Sequence, residues 1–143
     1  MTAEPVRASI RIDAAPERVW EFFTRPEAMI RWMGEYAVLA PRPGGEFTVN
    51  IKGAPVRGRY LVLDPPHRLV HGWQSRYSPE LAEEPESRVT WEIEPQEGGY
   101  CLLSVTHDQL DGSPKTAESV SGPGWMMVLS GLKTLLETGE PLA

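Results

Sequence analysis

The 143-residue chain has little sulfur to work with: its one cysteine, Cys101, forms no internal disulfide, so the fold must rest on packing. A lone thiol suits a reducing compartment. No stretch approaches the ~20 apolar residues of a membrane span, and the opening MTAEPVRASIRID has neither a basic leader nor an apolar run, so the chain reads as soluble and cytoplasmic. Basic residues are few and dispersed. Fourteen Lys and Arg stand against twenty Asp and Glu, for a net charge of −6, and this argues against nucleic acid as a partner. A Gly-rich phosphate loop and a nucleophile elbow are both absent. Of the three histidines, His67 and His71 lie about 13 Å apart along an extended chain, so no metal site or cofactor is expected.

What is present predicts a single domain over 1–143, long enough to bury about 68 to 70% of its unfolded surface. The clearest element is a C-terminal helix, Trp125 to Thr138. Around a helix axis Trp125, Val128, Leu129, Leu132, Leu135 and Leu136 fall within an arc of roughly 120°, with Ser130, Lys133, Thr134 and Glu137 opposite. Pro123 suits its first turn, and Gly139 followed by Pro141 is its stop signal. Such a helix needs a broad apolar surface to lie on.

At the other end, Val6, Ala8, Ile10 and Ile12 alternate with polar residues, as in a strand with one buried face. Ala15-Pro16-Glu17 opens a helix with Val19, Trp20 and Phe23 as its stripe. Pro26-Glu27 opens a second, with Met29, Ile30 and Met33 buried and Gly34 ending it. An antiparallel meander follows: 46–52, 56–63, 68–75, 88–94 and 100–107, separated by turns rich in Pro and Gly. The acidic stretch 76–87, RYSPELAEEPES, reads as a solvated loop, and 108–121 as a polar segment with a short helical turn. The whole is an α+β architecture, a curved antiparallel sheet wrapped around a long helix. Because a rod touches a curved sheet along a line, a hollow between them is expected, and hollows of this kind bind small ligands.

The segment APERVWEFFTRPEAMIRWMG, the turn GGEF, the run GRYLVLDPPHRLVHGW, the pair VTWEIEP and SVTHDQL, and the ending GWMMVLSGLKTLLETG carry a resemblance over residues 6 to 139. The chain resembles bacterial proteins related to the C-terminal domain of the activator of Hsp90 ATPase, within the START-like, Bet v 1-like helix-grip superfamily. The resemblance implies the helix-grip fold. It also implies a choice of roles, because relatives bind lipids, sterols or aromatic metabolites, or act as polyketide cyclases, and a fold so widely shared does not fix one function. His107 fits the THxxL-like strand ending typical of these proteins. His71 stands where they more often carry an aromatic residue.

Inward faces then follow from alternation: Leu69, His71 and Trp73 on one strand, Val89, Trp91 and Ile93 on the next, and Cys101, Leu103, Val105 and His107 on the third. One reading makes Trp32, Tyr60, His71, Trp73, Trp91, His107, Trp125, Leu129 and Leu132 the lining of an apolar cavity, with His71, His107 and Tyr60 orienting a ligand. The plainer alternative is a filled core in which each Trp packs and each His is satisfied by a backbone carbonyl. Trp125, beside Gly122-Pro123-Gly124, marks the place for a mouth. Met126 and Met127 lie outside the stripe and are expected under the 108–121 segment, and Gly131 sits at its edge. Cys101, among apolar neighbours, reads as an inert thiol.

Three roles remain open at this level. The first is binding of a small apolar or aromatic molecule; the second is an enzyme of the cyclase or hydrolase type, with His71 or His107 as general base beside Tyr60 or Asp108. The third, implied by the resemblance, is contact with an Hsp90-type chaperone. A homodimer is compatible with all three, and no stretch identifies its interface.

Overall fold

The computed structural model describes residues 4–51, 54–122 and 124–140. Pro123 and Pro141, the expected helix signals, lie outside these residues. Alternation produces the first strand, β1 (Val6–Ile12), as expected. Pro16 then starts α1 (Pro16–Thr24) in its first turn; Val19, Phe22 and Phe23 are buried on one face while Trp20 is half-buried. Pro26, whose ring disfavours helix in the residue before it, separates α1 from α2 (Pro26–Met29). Met29 and Met33 are buried as their spacing predicts. Ile30 is not: it is 43% exposed, because the chain leaves α2 in tight turns that direct it outward.

The meander supplies β2 (Ala37–Leu39), β3 (Glu46–Ile51), β4 (Ala54–Asp64), β5 (Arg68–Ser75), β6 (Ser87–Pro95) and β7 (Cys101–Asp108). All pairings are antiparallel, and the sheet order is β1-β7-β6-β5-β4-β3-β2. Between β5 and β6 the acidic stretch is more ordered than its composition suggests. It forms α3 (Pro79–Ala82), capped where the Ser78 hydroxyl accepts from Leu81 N. Its last residues are tied to α4 (Pro114–Val120): the Glu84 carboxylate accepts from Lys115 N, Thr116 N and the Thr116 hydroxyl at 2.8, 2.8 and 2.7 Å.

The final helix, α5 (Gly124–Thr138), lies on the concave side of the sheet, with Trp125, Leu129, Leu132 and Leu135 buried and Val128 and Leu136 half-buried. Leu129 and Leu132 are fully enclosed, a burial that stabilises by about 1.5–3 kcal/mol for each side chain. Gly139, at φ 80°, closes the helix with a left-handed residue whose N–H bonds Leu135 O. The last turns are fastened to β1 by Lys133 Nζ donating to Arg11 O and by Asp13 N donating to the Glu137 carboxylate. Met126 and Met127, expected under the 108–121 segment, are 41% and 64% exposed. That segment packs Thr116 and Val120 inward and leaves the outer side of α5 uncovered. Among the described residues no helix is long and apolar enough to cross a membrane.

Candidate functional site

Strand register brings the polar core residues together. Tyr60, His71, Val89, His107 and Val6 stand opposite one another in a single row across β4, β5, β6, β7 and β1. Trp91 lies one step from His71 on the diagonal, and its Nε1–H donates to His71 Nε2 at 3.0 Å. An indole nitrogen only donates, so His71 Nε2 must be the unprotonated nitrogen and Nδ1 carries the proton, 2.8 Å from Gly72 O. The Phe47 ring stacks on the imidazole with centroids 3.9 Å apart.

His107 is held the same way by a second tryptophan. Trp125 Nε1–H donates to His107 Nδ1 at 3.2 Å, which places the His107 proton on Nε2. That proton points at Ser87 Oγ, 2.6 Å away, and the Ser87 hydroxyl donates onward to Trp73 O at 3.1 Å. The distance alone suggests a nucleophile and its base. The proton order excludes this, because a base would need Nε2 free and Nδ1 protonated, and Nδ1 faces an indole N–H. Burial pushes both imidazoles down to about 4 from an ordinary 6.5, and the neighbouring Gly72 carbonyl and Asp108 oppose this only in part.

Tyr60, Trp32 and Asp108 are engaged as well. The Tyr60 hydroxyl donates to Phe23 O at 3.1 Å and burial pushes its pKa up; Trp32 Nε1–H donates to Phe22 O at 3.0 Å. Asp108 forms a two-pronged ion pair with Arg88 at 2.9 and 2.7 Å, which lowers its pKa. Cys101 is fully buried and burial pushes its thiol up. His67 sits exposed in the turn between β4 and β5.

The tryptophans form a continuous seam. Trp32 and Phe23 meet Trp91, Trp91 meets Trp125 at 5.4 Å, and Trp125 meets Trp73 at 5.1 Å, mostly edge to face. Beyond the last two rings the packing stops. A cavity of about 350 Å³ opens there, between Val56 of β4, Trp73 and Ser75 of β5, Tyr77, Leu81 of α3, Ser119 and Val120 of α4, and Gly124, Trp125 and Val128 of α5. Among the described residues no charged side chain lines it. Tyr77, 74% exposed, stands at its rim.

Of the nine residues expected at a cavity, Trp73 and Trp125 line this one. Tyr60, His71, Trp91, His107, Leu129 and Leu132 are buried in the core and do not line it, and Trp32 packs half-buried against that core. Sequence reading missed Val56, Ser75, Tyr77, Leu81, Ser119, Val120 and Gly124 as lining. Leu81 was the one available signal, as the sole leucine in an otherwise acidic stretch; Val128 was already visible in the helix stripe.

Solved structures with this fold include DynU16, from the dynemicin biosynthetic locus, with a TM-score of 0.79 at 22% identity; 96% of this chain aligns to 48% of that one, so the chain spans about half of its length. CalU16 from Micromonospora echinospora aligns at 28% identity and TM-score 0.75 over 96% of this chain and 76% of its own. The Aha1 dimer from Colwellia psychrerythraea aligns at 17% identity and TM-score 0.79, over 95% of this chain and 98% of its own. The two below 25% identity establish the helix-grip fold alone. No curated protein matches the chain. The family model described as Activator of Hsp90 ATPase homolog 1-like protein matches residues 13–137, and the chain belongs to that family.

Proposed function

We propose that the protein binds a small, uncharged apolar or aromatic molecule in the cavity under the first turns of α5. The observation that carries this is the cavity itself: about 350 Å³, within the size range of ligand sites, with two tryptophan walls and, among the described residues, no charged side chain in its lining. Trp125 suits a fixed wall, because its indole N–H is anchored on His107 and its ring is wedged against Trp91 and Trp73. The seven expected residues that do not line it would act indirectly, by holding that wall in place.

Acid–base chemistry by His71 or His107 gains no support from this geometry. Both nitrogens of each ring are occupied, and neither ring lines the cavity. Native mass spectrometry of protein purified from its own host tests the binding reading. A retained neutral molecule of cavity size is expected, and a ligand-free spectrum under gentle conditions counts against it.

A second reading comes from the family: contact with an Hsp90-type chaperone, or self-association like that of the Colwellia protein. The observation in its favour is the adjacent exposed pair Leu61 and Val62, where β4 bulges between Tyr60 and Val62. Leu61→Lys should abolish stimulation of the host chaperone's ATP turnover if this holds. A wild-type protein that leaves that turnover unchanged removes the chaperone part.

A further inference from the structure

The indole N–H groups of this protein are not treated alike. Those of Trp32, Trp91 and Trp125 each donate to a protein acceptor: Phe22 O, His71 Nε2 and His107 Nδ1. Trp73 Nε1–H has no acceptor among the described residues, although Trp73 is only 8% exposed. Among those residues Asn50 Oδ1 is the one sealed side-chain polar atom without a partner, so the Trp73 N–H is not sealed. The open space that Trp73 lines is the cavity.

A second donor lies beside it. Ser75 is two residues further along β5, on the same face and about 7 Å away by strand rise, and it also lines the cavity. Its Oγ accepts from Tyr77 N at 3.3 Å, and among the described residues its own proton has no acceptor. An apolar pocket that presents these donors and, among the described residues, no cation favours a ligand with an acceptor but no charge. A buried anion would lose its water without gaining a counter-ion, whereas a carbonyl oxygen loses little and gains a directed bond.

We propose that Trp73 Nε1–H, supported by the Ser75 hydroxyl, recognises a carbonyl-type acceptor, so that the ligands of this pocket are neutral aromatic ketones or quinone-like compounds rather than hydrocarbons or carboxylates. The proposal rests on the binding reading above and specifies the ligand class for that site.

Three probes on one ring system test it: naphthalene, 2-acetylnaphthalene and 2-naphthoate, titrated into ¹⁵N-labelled full-length protein. The ketone binds about tenfold more tightly than the hydrocarbon, the worth of one well-placed hydrogen bond, and the carboxylate binds more weakly than the ketone. The Trp73 indole N–H resonance, assigned by its loss in Trp73→Phe, moves downfield with the ketone and not with naphthalene. In Trp73→Phe, the preference for ketone over hydrocarbon falls to about twofold or less. Should that variant fail to fold, the Trp73 indole resonance is assigned instead from its through-space contacts to neighbouring protons in the wild type, and its shift decides the matter. Equal affinity for ketone and hydrocarbon, a stationary Trp73 resonance, or carboxylate binding as tight as ketone binding overturns the proposal and leaves the binding reading standing. Failure of all three probes to bind removes both.

Discussion

Trp125, on the terminal helix, and His107, on the last strand, are joined by one hydrogen bond of 3.2 Å that fixes the imidazole tautomer and one wall of the cavity at once. The bond links the packing of α5 to the polar row across the sheet, and its loss has a defined consequence. His107→Phe keeps an aromatic ring but leaves the Trp125 N–H without a buried acceptor and removes the donor to Ser87 Oγ, whose own bond to Trp73 O remains. The expected loss is about 1–3 kcal/mol, the cost of the one orphaned indole N–H, read as a lower midpoint in urea unfolding. An unchanged midpoint would show that the pair carries no stability.

The two buried imidazoles also set a pH dependence. Both have folded values near 4 against 6.5 for the free side chain. Above pH 6.5 they are neutral in both states and contribute no slope. As pH falls from 6.5 towards 4 the unfolded chain takes up protons that the native chain refuses, so stability drops through that window by up to about 3 kcal/mol per histidine. Asp108, Glu84 and Glu137, whose pKa values are lowered by hydrogen bonds and ion pairs, add losses that begin as pH falls into the ordinary carboxylate range, at the acid end of this window, and continue below it. Urea midpoints measured from pH 4 to 7 should show the slope in the wild type and about half of it in His71→Phe. A flat profile between pH 4.5 and 6.5 contradicts the neutral assignment.

Local patterning made the sheet and the terminal helix legible. Alternation gave the buried faces of β5, β6 and β7, and the leucine stripe gave the sheet-facing side of α5, because each depends on residues a few positions apart. Other features depend on partners far along the chain. The stretch containing Pro79–Ala82 reads as solvated loop because nothing local shows that Glu84 will grip the start of α4 about thirty residues later. The pairs His71–Trp91 and Ser87–His107 depend on strand register, which the sequence does not display. The cavity escaped for a related reason. Periodicity identifies inward residues but not where neighbouring layers diverge, and they diverge at the start of α5, where α3 and α4 meet β4 and β5 at its edge.

The helix grip has a sharp internal contrast. Leu129 is fully enclosed against the sheet while Met127, two residues earlier, is 64% exposed. Leu129→Ala should cost about 2–5 kcal/mol through lost burial and the space left behind, and Met127→Ala should stay within about 0.5 kcal/mol of wild type. Thermal unfolding of the two variants separates them. Similar shifts would mean that α5 does not lie on the sheet by its leucine face.

Filling the cavity tests the account of function most directly. Val128 lines it from α5 without being part of the fully buried core, so Val128→Trp places an indole in the space at little expense to the fold. N-phenyl-1-naphthylamine, a neutral dye that brightens in apolar surroundings, should bind the wild type saturably at one site. The same titration on Val128→Trp, with urea stability close to wild type, should give affinity at least about tenfold lower, since the dye and the new ring compete for the same volume. Equal dye binding by the two folded proteins would place the ligand elsewhere and contradict the central claim.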